Sequence, residues 1–183
     1  MPEVISTHVD EQGDAPLQSF SRCHVGILTH LNEFSELPAL MEPAARARRI
    51  ASETLSFFRE AVYEHHSEEE RDLFPAVLAS AVKGGERDHV QVMVDQLTAE
   101  HRTIEAAFTK LEPELKKVAK GHESALNLAG VDHLVQSYRA HAHFEESRFL
   151  PLAHTILGRN SNHMEALGLS LHMRHVPRIT AHI

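Results

Sequence analysis

The sequence predicts an all-α protein: an antiparallel up-down four-helix bundle with a short extra C-terminal helix. Three observations carry that reading. Apolar residues recur at three-and-four spacing through four long segments, which places them on one face of a helix. No stretch alternates apolar and polar residues at the period of a strand. Trp is absent and aromatics make up 5% of the residues, so the large side chains that favour sheets are scarce.

The first segment carries Leu17, Phe20, His24, Ile27, Leu31 and Phe34, with Pro38 expected to end it. The second starts at about Pro43 and runs through Ile50, Leu55, Phe58, Val62, His65, Glu69 and Leu73; Pro75 marks its weakening or end. Paired glycines in KGGERD read as a turn. The third shows Val90, Val94, Leu97, His101, Ile104, Phe108 and Leu111, with Pro113 as a kink or a restart. The fourth follows KGHES and carries Val131, Leu134, Tyr138, His141, Glu145, Phe149 and Leu152, with Pro151 behind the acidic pair. A short helix is expected over 163–174. Residues 1–15 read as a flexible N-terminal arm and 16–183 as one domain, because 183 residues support a single core of ordinary size.

A formal charge of −8 disfavours nucleic acid and anionic membrane surfaces as partners, since both repel an acidic protein. The single cysteine, Cys23, excludes an internal disulfide, and no leader or apolar run approaches the length of a membrane helix, so a cytoplasmic location is the expectation.

The chemistry lies in what interrupts the stripes. His24, His65, His101 and His141 each stand in line with apolar neighbours, and Glu69 and Glu145 sit one turn beyond His65 and His141. A carboxylate buried without a partner costs several kcal/mol or more. Imidazolium ions gathered in a core would repel one another, whereas cations held by neutral imidazole and carboxylate answer both problems. Four histidines and two glutamates can hold two divalent ions if the glutamates bridge. That inventory suits iron or manganese better than a closed structural zinc site. His66 with Glu70 is an equally spaced alternative to His65 with Glu69, but Phe58 lies in line with His65 and Arg59 with His66, so His65 is preferred. Glu105 is a possible extra ligand. Glu68 and Glu70 read as a solvated face.

These residues resemble the hemerythrin-like HHE cation-binding family. CH at 23–24, HHSEEERDLFP at 65–75, EH at 100–101 and HAHFEESRFLP at 141–151 follow the order of that family's motifs, over residues 17–155. The ferritin-like alternative uses Glu-x-x-His, matched here only by Glu86 and His89 beside a glycine turn. The resemblance implies two iron ions bridged by oxo, hydroxo or water, with manganese or zinc as weaker alternatives, and a small diatomic or peroxide ligand. The oxygen-carrying members have two histidines one turn apart on the third helix, where this chain has His101 and Glu105, and the lower nitrogen count suits reversible oxygen storage poorly. The set is similar to that of the bacterial iron-cluster repair members, whose cysteine-bearing amino-terminal domain finds no match in these residues. The expected function is therefore a di-iron protein that binds or senses O2, NO or peroxide, as monomer or homodimer, rather than a dedicated enzyme. The alternatives are iron delivery, peroxide or NO processing, and a metal-stabilised interaction module.

Overall fold

The computed structural model describes residues 14–159, with side chains from residue 23 onward. The expected helix at 163–174 and residues 1–13 of the expected arm lie outside the described residues. All regular structure in the described part is helical: α1 (Asp14–Phe57), π1 (Phe58–Val62), α2 (Tyr63–Glu68), π2 (Glu69–Leu73), α3 (Phe74–Ser80), α4 (Gly85–Ala119), α5 (Leu128–Phe144), π3 (Glu145–Phe149) and α6 (Leu150–Leu157). No described helix is long and apolar enough to cross a membrane.

The chain divides into two compact units, Met1–Ala47 and Arg48–Ile183. In the first, the described residues are helical and every described side chain is exposed, including Ile27, Leu31 and Phe34 of the expected stripe. Pro38 and Pro43 do not divide two helices, as the sequence reading expects; both lie inside α1. An interior proline costs a helix about 3 kcal/mol because it removes one backbone bond and crowds the carbonyl four residues back. On an exposed helix those carbonyls can bond water instead.

In the second unit three helical rods run antiparallel: residues 48–80, α4, and 128–157. Their order follows from the core. Leu55, Phe58 and Val62 at the start of the first rod pack with Ile104, Phe108 and Leu111 at the far end of α4 and with Leu134 of α5. At the other end Phe74 and Val77 meet Val90, Met93 and Leu97, with Phe149, Ile156 and Leu157 of the third rod. Phe58 stacks on Phe108 with ring centroids 3.9 Å apart, and Phe74 meets Phe149 edge-on at 5.2 Å. Between these apolar ends lies a layer of buried His and Glu.

The turns follow their residues. Gly84 at φ 97° precedes α4, and Gly121 at φ 72° closes it, with His122 N–H on Lys117 O and Gly121 N–H on Val118 O in a Schellman arrangement. Asn127 caps α5 by accepting from Gly130 N–H at 3.0 Å.

Pro75 and Pro151 do not end their helices, which continue to Ser80 and Leu157. Each follows a wide turn in which an N–H reaches back five residues, Phe74 to Glu69 O and Leu150 to Glu145 O. The added residue per turn gives the pyrrolidine ring room and lets the rod continue past it. Each of these turns opens on one of the two glutamates the sequence singles out.

Candidate metal centre

Two groups of side chains converge between the apolar clusters. His66, His101 and His141 form one, all buried; His65, Glu69 and Glu145 form the other, with the glutamates buried and His65 46% exposed. Within each group, one ligand atom from each residue lies within 4.8 Å of the others. Glu69 joins the two, with Oε1 3.4 Å from His65 Nε2 and Oε2 3.2 Å from His101 Nε2. Glu145 Oε2 stands 3.9 Å from His141 Nε2.

Of the residues expected from sequence, His65, Glu69, His101, His141 and Glu145 thus fall in these groups. His24 is exposed in the other unit and belongs to neither group. His66, ranked behind His65, is 1% exposed and inside the histidine triad. An unbroken α-helical pitch would put His65 on the stripe, but the pitch changes at π1. With an extra residue per turn, Phe58, Val62 and His66, four apart, come into line on the buried side.

The outer edge of the triad is made by three carboxylates. Nδ1–H of His66 donates to Glu105 Oε1 at 3.0 Å, that of His101 to Glu70 Oε1 at 2.8 Å, and that of His141 to Glu100 Oε2 at 3.0 Å. An ionised carboxylate only accepts, so the proton sits on Nδ1 and each Nε2 keeps its lone pair for the interior. Glu70 is therefore not the solvated residue expected from sequence, and Glu68 is 2% exposed. Glu105 faces Nδ1 of His66 and stands in neither ligand group. Glu100 was legible only as part of the EH pair at 100–101; nothing in its spacing points to His141 on another rod.

The interior fits a cation. Nε2 of His66, His101 and His141 and both oxygens of Glu69 are buried without a hydrogen-bond partner. Each such atom costs about 1–3 kcal/mol if left so. Imidazole lone pairs and carboxylate oxygens gathered within a few ångströms repel one another unless positive charge lies among them, and N and O donors of this kind are ligands for iron, manganese or zinc.

Protons supply part of that charge in the metal-free protein. Burial, and then the neighbouring Glu69, push the Glu145 carboxyl up to about 9. Burial would raise Glu69 too, but contacts with His101 and Glu145 bring it down to about 2. Burial lowers His66 to about 4, against the pull of Glu105, and lowers His141 as well. Burial also works against a charged His101, yet the flanking Glu69 and Glu70 outweigh it and its pKa rises.

A family model for the hemerythrin HHE cation binding domain matches residues 15–153. The chain belongs to that family, a class of helical bundle that binds metal cations. It is also 23% identical over 158 residues, 82% of this chain and 88% of the other, to an uncharacterized protein of Haemophilus influenzae. No solved structure matches the chain.

Proposed function

We propose that the chain is a non-haem di-iron protein that binds or senses a small ligand such as O2, NO or peroxide. The observation that carries this reading is Glu69, which presents one oxygen to each of the two groups, the geometry a bridging carboxylate needs. His66, His101 and His141 would hold one ion and His65 the other, with Glu69 and Glu145 between them. When bound, a pair of irons supplies coordination and electrons to a small molecule.

The chain's own contribution is shape and polarity. His65 borders a hollow of about 280 Å³ walled by Phe57, Ala61, Val62 and Tyr138. That size admits a diatomic or peroxide, and its largely apolar lining favours an uncharged guest. On the buried side stands Phe74, whose ring lies 6.0 Å from that of His101. Anaerobic titration of the ferrous protein with NO, O2 and peroxide, followed by absorbance, tests this: a saturable spectral change with at least one is expected, and none with any contradicts it.

Iron delivery is a second reading, favoured by His65, whose side chain is 46% exposed beside Glu69. Loss of iron to an apoprotein acceptor, without change when small ligands are added, would select it.

A further inference from the structure

The three buried imidazoles are not held alike on their outer side. His66 and His101 stack with ring centroids 3.9 Å apart and planes 3° from parallel, whereas His141 stands edge-on to both. The carboxylates behind the stacked pair share a single cation. Arg102 donates through Nη2 to Glu70 Oε2 and through Nη1 to Glu105 Oε2, the latter at 3.3 Å. The other oxygens of the same two carboxylates accept from His101 and His66. Behind His141 the carboxylate has a neutral partner instead: Glu100 Oε1 accepts from the Gln96 amide at 2.8 Å.

We propose that Arg102 is a positioning residue for the metal centre, fixing through Glu70 and Glu105 the tautomer and ring orientation of His101 and His66 together. A guanidinium is a planar fork that can serve two carboxylates at once, which a lysine ammonium on one flexible stem does less well. Without it, two glutamates carrying like charge and free rotamers would no longer hold one setting. Arg102 is itself 57% exposed. An exposed ion pair adds little to stability, so its effect should fall on the ligands rather than on the fold. Carboxylates of this kind orient metal-binding imidazoles, and losing one weakens metal binding roughly 10- to 100-fold; Arg102 stands one step further out and acts only by orienting them, so its loss should cost less.

The inference rests on the metal-binding reading, and its test separates the two. Full-length protein and the variants Arg102→Gln, Arg102→Lys and Arg59→Gln are compared for Zn(II) affinity by chelator competition. Long-range proton–nitrogen NMR of the imidazoles follows with zinc and without it. Arg59 holds Glu112 at 2.6 Å, away from the histidines, and serves as the control. Arg102→Gln should lower zinc affinity by up to about tenfold, with Arg102→Lys between it and wild type. The Nδ1–H signals of His66 and His101 should move or be lost while that of His141 stays. The thermal midpoint should shift no further than for Arg59→Gln. Wild-type affinity with unmoved Nδ1–H signals in Arg102→Gln overturns the proposal, and so does equal disturbance of all three histidines. A wild type that takes up no zinc defeats the metal reading, and the Nδ1–H signals of the metal-free protein then decide the role of Arg102.

Discussion

His101 shows how one residue ties the site together. Its ring is wholly buried, its Nδ1–H is fixed by Glu70, and its Nε2 faces a Glu69 oxygen at 3.2 Å. Two atoms with lone pairs so close need either a proton or a metal ion between them, so the two compete for the same place. The raised carboxyl of Glu145 gives the sign of that competition. Held up to about 9 by burial and by Glu69, it is protonated at pH 7 and must release its proton when a cation binds. Metal affinity is therefore expected to rise with pH up to about 9. Calorimetry at pH 7 in buffers of different ionisation enthalpy should show proton release, reduced by about one proton per chain in Glu145→Gln. The same shift governs stability without metal. A folded-state pKa above the ordinary carboxyl value means that stability is present below that value and lost as pH climbs toward 9. Denaturation of the chelated protein should show wild type weakening relative to Glu145→Gln across that window.

At the scale of elements, the π turns decide which residues face inward, and they are where the sequence could be read least well. Helical periodicity is legible wherever the pitch stays regular, so Val90, Leu97, His101, Ile104 and Phe108 of α4 are all buried as the stripe predicts. In the first rod the pitch changes at π1 and again at π2, and an inference made at a constant 3.6 residues per turn preferred His65 over the more deeply buried His66. The outer carboxylates were hidden for another reason: Glu70 meets His101, and Glu100 meets His141, across rods, and spacing along one helix carries no information about a neighbour. The prolines are the test at this scale. Pro75→Ala should restore the missing backbone donor and relax π2 toward α-helical pitch, turning Glu69 out of line with His65 and His101. The expected outcome is equal or greater helical stability without metal, and weaker metal binding, measured by thermal melts with and without chelator. Unchanged metal affinity would show that π2 does not set the position of Glu69.

For the molecule as a whole, the site is a polar layer between two apolar clusters, so fold and metal binding should come apart when each is attacked separately. Phe108, stacked on Phe58 and 1% exposed, belongs to the apolar end: Phe108→Ala should cost about 3–5 kcal/mol in denaturant unfolding while leaving metal stoichiometry intact. Bound metal in turn should raise stability by about 2.7 kcal/mol at a hundred times its dissociation constant. The all-α bundle and the cation-binding family were legible from the repeated motifs that end in Pro75 and Pro151. The break expected at Pro38 was not found, because a proline disfavours a helix without forbidding one where water can take the freed carbonyls. The central claim is that Glu69 joins two cation positions. Elemental analysis of protein loaded anaerobically with ferrous iron tests it most directly: the account predicts close to two irons per chain, falling to one or fewer in Glu69→Ala, whereas no bound iron, or a ratio that Glu69→Ala leaves unchanged, would contradict it.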